Sequence, residues 1–319
     1  MVLSRAYGQY IPNSAQMFQF ASGYNPAFTG AEAYGDLKLG YRYQWTGFGD
    51  AAPKFINAAY NVRLKQPVDL ITHAPRLSNS KEIGSNAFVP ARKRTIHGFG
   101  VNAYHESAGQ AYKRSGGAVN YAFHYPLTAK LRMSLGASVA LDNISVDDSK
   151  FYFGIGGTQE TFDGLEHTDI TLRGGLLFYS SKFYVGFSYL PIYTQVLKNS
   201  DKTFSDPFYK GTAQVGVSLP LGPSVTLRPS VLALMAVDNS LSMDYNVKAY
   251  IQEKLWFGVS YRDIQSMVAL VGFNVNQLFG ASYSYEMSTG DMKTFNDGSH
   301  DLVLTFRFNN FKRQGSVIW

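Results

Sequence analysis

From Gly35 onward, apolar and polar residues alternate with a period of two, and turn residues separate one alternating run from the next. That is the pattern of strands with one apolar and one wet face. Between Leu131 and Leu141 every odd position (Leu131, Met133, Leu135, Ala137, Val139, Leu141) is apolar, whereas Arg132, Ser134, Gly136 and Ser138 are polar or small. The same division recurs from Leu241 to Ile251, from Leu255 to Tyr261, from Phe279 to Met287 and from Leu302 to Phe308. About fourteen such runs begin near Gly35, Pro53, Thr95, Gly116, Lys130, Asp169, Lys182, Tyr209, Val225, Leu241, Lys254, Ser266, Gln277 and Ser299. Pro229 falls inside a run, where it forfeits a ladder hydrogen bond, so a bulge or strand end is expected there.

The connections alternate in length as well. Long ones, Asn143 to Thr168 and Pro191 to Phe208, belong to one end, while YPLTAK, YSSKF, PLGPS, QEK and NVNQ close the other. Tyrosine and tryptophan gather toward run ends on the apolar face, as in Tyr41, Tyr43 and Trp45 or Tyr121, Phe123 and Tyr125. A soluble β-sandwich also alternates, but aromatic girdles and unequal ends are features of a transmembrane antiparallel β-barrel in an outer membrane. Such a barrel must close, because an open edge leaves backbone groups unpaired in hydrocarbon. The chain then divides into an end of a signal peptide at 1–8, a plug or leader at 9–34, the barrel at 35–308 and a tail at 309–319. Ala6-Tyr7-Gly8 has the small-x-small form of a cleavage site before Gln9, an ordinary terminus being the alternative.

Composition narrows the picture. Charged residues are 16% of the chain and aromatics 15%, against about 25% charged in an average soluble domain. With no cysteine, disulfides, thiolate metal sites and cysteine nucleophiles are excluded. The net charge of +6 comes from basic residues spread singly along the runs, which argues against nucleic acid. The longest apolar run, near Val231 to Val237, is far too short for a membrane helix.

A barrel of about fourteen strands is too wide for wall side chains to fill. Its expected inward positions are polar and mostly cationic: Lys38, Arg42, Gln44, Asn57, Asn61, Arg63, Arg132, Lys210, Gln214, Arg228, Lys248 and Arg262. Gln9 to Tyr34 is aperiodic, aromatic and carries Glu32 as its one charge. It is expected to fold into the lumen as a plug, with carbonyls of the Asn25-Pro26 turn accepting from Arg42 and Trp45 anchoring that strand at the interface. A periplasmic leader is the alternative. The connection from Lys65 to Arg94 breaks the rule of short inner turns and holds six basic residues against Asp69 and Glu82. Its Arg92, Lys93 and Arg94 are candidates for docking an acidic periplasmic partner.

No catalytic, cofactor or metal site stands out. The six histidines show no ligand spacing, and no GxSxG elbow occurs. Gly98-Phe99-Gly100 lies in an alternating run with no helix after it, so it is not a dinucleotide loop. Asp142, Asp147 and Asp148 offer oxygens for calcium, but a solvated acidic loop explains them as well.

Asn25-Pro26-Ala27-Phe28-Thr29-Gly30, then Tyr41-Arg42-Tyr43-Gln44-Trp45-Thr46-Gly47-Phe48 and Ala52-Pro53, resemble the NPAYAG…YRxQWxGFxxAP signature of the PorP/SprF family of type IX secretion outer-membrane proteins. Phe28 and Thr29 stand where that family has Tyr and Ala. Tyr121 to Leu127 resembles its YAYHIPL, Leu255 to Arg262 continues the likeness, and Gly298-Ser299-His300-Asp301 stands where it has GSHE. The resemblance singles out Asn25, Pro26, Gly30, Arg42, Gln44, Trp45, Gly47 and Pro53. It implies a non-enzymatic barrel, without a cofactor, that supports export and surface attachment of particular cargo proteins, a large adhesin among them. Periplasmic and outer-membrane components of the machine are its implied partners. An outer-membrane channel or transporter for small solutes is the alternative function.

Overall fold

A computed structural model describes residues 14–64, 95–109, 112–146, 165–199, 209–263, 265–290, 293 and 296–308. Fifteen strands make one antiparallel sheet: β1 (Gly35–Tyr43), β2 (Lys54–Leu64), β3 (Ile96–Ala108), β4 (Tyr112–Pro126), β5 (Arg132–Val146), β6 (Leu165–Tyr179), β7 (Phe183–Asn199), β8 (Tyr209–Val217), β9 (Leu219–Pro220), β10 (Val225–Ala236), β11 (Leu241–Ile251), β12 (Leu255–Arg262), β13 (Ser266–Asn274), β14 (Phe279–Ser288) and β15 (Ser299–Phe308). Each pairs with its sequence neighbour, except that β8 and β9 both pair with β10 rather than with each other, and β1 pairs with β15, so the sheet closes on itself. β9 continues the line of β8, since Ser230↔Gly216 and Leu227↔Leu219 keep one register along β10. The barrel therefore has fourteen staves.

The outward face is the apolar one. Leu135, Val139 and Leu141 of β5 are exposed at 49–53%, while Ser134, Ser138 and Asp142 between them are buried toward the lumen. Val247, Phe257, Val259, Tyr261 and Leu302 repeat this on β11, β12 and β15. At both ends tyrosines meet histidines on the outer surface: His97 Nδ1 lies 2.6 Å from the Tyr121 hydroxyl, and His300 Nδ1 lies 2.6 Å from that of Tyr283. These pairs give the aromatic belt a polar edge where lipid headgroups begin.

Three expectations are corrected. β10 runs straight through Pro229, which pairs with Val247. The missing N–H is felt on the other flank, where the ladder lapses between β8 and β9, and the bulge falls at Met235/Ala236. The two long outer connections are partly strand, because β5 reaches Val146, β6 starts at Leu165 and β7 runs to Asn199. Trp45 leaves the alternation, since β1 ends at Tyr43 and Trp45 adopts φ 54°, turning the chain into the 3-10 segment Thr46–Ala51. The strand was read two residues too long because a left-handed residue there is not visible as a period. Strands β3–β7 have 13–17 residues and β12–β15 have 8–10, so one side of the wall stands taller at the outer end.

Leu135→Arg and Val259→Arg place a guanidinium in lipid and are expected to cost about 2–4 kcal/mol in bilayer unfolding measurements. Ser134, on the polar face of the same run as Leu135, is fully buried against the N-terminal segment. Ser134→Arg is therefore expected to displace that segment while leaving the barrel's migration on unheated gels unchanged.

Candidate functional site

The lumen contains the chain's own N-terminal segment. Residues 14–34 run through it as the 3-10 turn Met17–Phe20, the short helix α1 (Ala21–Tyr24) and the 3-10 turn Pro26–Phe28, after which β1 begins. Ser14 and Ala15 meet Asp301 at the outer end of β15, through Oγ at 2.6 Å and N–H at 2.8 Å. The segment then descends to enter β1 from the inner end. No strand neighbour pairs its backbone, so its buried carbonyls need donors from the wall. Ser188 Oγ donates to Tyr24 O and Ser134 Oγ to Ala27 O, both at 2.8 Å. Arg63 serves the next two, with Nε to Gly30 O at 2.8 Å and Nη2 to Ala31 O at 2.5 Å. His124 Nε2 lies 2.8 Å from Thr29 O, and its Nδ1 lies 2.9 Å from the Tyr179 hydroxyl. Only a protonated Nε2 can bond a carbonyl, so Nδ1 accepts from the tyrosine.

Missing side chains matter as much as donors. A Cβ on Gly136 would lie 2.2 Å from Ala27 N, one on Gly98 2.1 Å from Thr29 O, and one on Gly175 2.0 Å from Asn25 Oδ1. These glycines are notches that let the plug backbone touch the wall. Gly30 takes φ 71°, where glycine is favoured, and faces Gly98 with no room for a side chain on either. Aromatic contacts complete the fit. Phe28 meets Tyr184 edge-on at 5.6 Å and Tyr24 stacks with Tyr209 at 6.5 Å. Phe18 lies between Trp256, at 5.8 Å, and the fully buried Lys248, whose Nζ is 3.3 Å above the Phe18 ring.

The residues singled out in the sequence divide into two groups. Asn25 and Pro26 lie inside the lumen. The Asn25 side chain caps Ala27 N–H at 2.9 Å and donates to Leu176 O and Phe187 O, and Pro26 opens the second 3-10 turn. Arg42 does not bond plug carbonyls as expected. It pairs with Glu286 at 2.9 Å, and its Nε reaches Gln44 Oε1 at 3.5 Å. Arg63, one strand away, takes the assigned role because its register places it level with Gly30. Gln44, Trp45, Gly47 and Pro53 form the outer β1–β2 turn, where Gln44 N–H donates to Pro53 O at 2.9 Å and Trp45 N–H to Ser299 Oγ at 3.2 Å. The Trp45 ring, half-buried, meets Phe48 at 5.9 Å. Arg92, Lys93 and Arg94 lie outside the described residues.

The lumen is not mostly cationic. Asp36, Glu106, Asp142, Asp244, Glu286 and Asp301 share the inward face and were missed because only donors were read from it. Arg262 joins Asp244 and Glu286 at 3.1 Å each, and Glu286 also takes Arg42. Asp142, read as a loop residue, is a buried member of β5 that accepts from Arg173 at 2.6 Å. Asp147 and Asp148 lie outside the described residues. No group of three metal-ligating side chains occurs among the described residues.

Arg262→Met would leave the buried Asp244 without its partner and is expected to cost about 3–5 kcal/mol in urea unfolding. Gly136→Val is expected to force the plug from the wall. In a Phe20→Cys background it should raise labelling by a bulky impermeant maleimide from slow to near the rate of a free peptide, while an unchanged rate would disprove the notch.

Comparisons with known proteins agree with this geometry. Among solved structures, the toluene transporter TbuX of Ralstonia pickettii is 11% identical over 90% of this chain and 92% of its own, with a TM-score of 0.51. Omp33 of Acinetobacter baumannii is 12% identical over 88% and 100%, with a TM-score of 0.47. A FadL homologue of Pseudomonas aeruginosa is 10% identical over 94% of each chain, with a TM-score of 0.48. The likeness to TbuX is one of fold alone. No curated protein matches by sequence. The family model described as Type IX secretion system membrane protein PorP/SprF matches residues 6–306, nearly the whole chain. The chain therefore belongs to the PorP/SprF family of type IX secretion system membrane proteins, as an outer-membrane β-barrel.

Proposed function

We propose that the protein is a non-enzymatic component of the type IX machinery that supports export and surface attachment of one or a few particular proteins, a large adhesin among them. The observation that carries this reading is the occupied lumen. A polypeptide in transit has no path through a barrel whose interior holds residues 14–34 against at least five wall donors. The useful surfaces are then the two ends, with the outer one receiving exported protein and the inner one meeting the rest of the machine. A small-solute channel, the second possibility, is disfavoured by the same plug.

The inner end suits an acidic partner. Its short turns expose Lys130, Lys182 and Lys254, whereas Glu253 beside them is held by Arg228 at 2.7 Å. Arg92, Lys93 and Arg94 would add to this field. Exposed charges of this kind act over about 8 Å at physiological salt, so the docking should weaken as salt rises.

Cells lacking the protein are expected to lose a small, specific set of surface proteins while other type IX cargo still appears outside. Unchanged surface proteins would reject the proposal. Charge reversal to glutamate at Lys130, Lys182 and Lys254, combined with Arg92, Lys93 and Arg94, should abolish co-purification of periplasmic components. If export and co-purification survive it, the inner end is not the docking surface.

A further inference from the structure

We propose that the outer half of the lumen is a binding site for a neutral sugar ring, of the kind that ends an extracellular glycan. The proposal does not depend on the secretion role. A cavity of about 90 Å³ lies above the plug, inside the taller side of the wall. Phe20, Gly23 and Tyr24 of the plug form its floor, and β2 to β6 with Tyr209 of β8 form its walls. The space exists partly because the floor carries a glycine: a Cβ on Gly23 would meet only Asn102 Cγ, at 3.9 Å.

Three features define the ligand. First, the cavity is lined with aromatic rings. Tyr24 and Tyr209 lie within 27° of parallel, and Phe55 and Tyr104 within 34° at 6.1 Å. Flat faces of this kind pack well against the C–H side of a saturated or aromatic ring.

Second, the charge in the wall balances, because Arg114 and Arg173 stand beside Asp142 and the buried Glu106, the register partner of Arg114 across β3 and β4. Asp142 accepts from Tyr104 and from Arg173 at 2.6 Å, and Arg114 stands 3.9 Å away with its guanidinium 5.3 Å over the Tyr104 ring. An ionic ligand would have to break these pairs, so a neutral one is preferred.

Third, hydrogen-bonding groups face the cavity from different strands: Asn57 on β2, Asn102 on β3, Asp142 on β5 and Arg173 on β6. Asn102 accepts from Ser22 through Oδ1, at 3.2 Å, but its buried Nδ2 has no partner. An orphaned buried donor is destabilising, and a ligand oxygen would relieve it. A hydrocarbon leaves it unpaired, and a phenol reaches one wall only. A pyranose presents hydroxyls around its whole edge and a C–H face to the tyrosines.

The test uses the full chain in detergent, titrated calorimetrically with methyl glucoside, galactoside, mannoside and N-acetylglucosaminide, and with phenol and benzoate. At least one pyranoside is expected to bind with a Kd of about 1–10 mM or tighter, and phenol and benzoate more weakly. Asn102→Ala should weaken that binding at least tenfold. Ala118→Leu, which fills the space from β4, should remove it. Tyr209→Ala, which adds no volume, should also weaken it and covers the case in which Ala118→Leu fails to fold. The proposal is overturned if no pyranoside binds, if phenol or benzoate binds more tightly than every pyranoside, or if the variants bind as the wild type does.

Discussion

Every backbone N–H and C=O that enters hydrocarbon must find a partner within the protein, and this demand shapes the molecule from the outside in. Alternation supplies a lipid face, but only the β1–β15 pairing removes the last open edge. Closing fourteen staves leaves a lumen wider than wall side chains can fill. The demand then reappears inside, where the segment occupying that lumen brings buried carbonyls of its own. Ser134, Ser188, Arg63 and His124 answer it one by one. Each bond contributes about 0.5–1.5 kcal/mol net, but the cost of leaving its acceptor unmade is larger. The plug is thus held less by any single contact than by the penalty for losing them together.

The same low-dielectric interior explains the acids. A lumen lined by cations alone would repel itself, and each buried charge without a partner would be costly. Asp244, Glu286 and Asp142 supply the counter-charges that pair Arg42, Arg262 and Arg173 around the plug. Lys248 is covered by the Phe18 ring, so its environment depends on the plug being in place. Wall and plug are therefore fitted to each other, which is why the proposed role at the barrel's two ends fits better than passage through it.

Much of this was legible in the chain because lipid is a uniform solvent. Any residue facing it must be apolar, so Leu241 to Ile251 and Ser266 onward announce themselves as strands without reference to neighbours. The inward face obeys no such common rule. Arg42 and Arg63 look alike in sequence, and only the register of β1, β2 and β15 sends one to Glu286 and the other to Gly30. Gly136 and Gly175 read as small residues on a polar face, and their purpose appears only when residues 25–27, over a hundred positions away, are placed against them. Trp45 carries the family signature legibly, yet its left-handed turn is set by tertiary context.

The central claim is that residues 14–34 seal the barrel. Single-channel conductance in planar bilayers tests it directly, comparing the full chain with a form lacking that segment. Sealing predicts a wild-type barrel that is electrically silent and a truncated one that inserts and conducts as an open pore. Equal conductance in the two would contradict it.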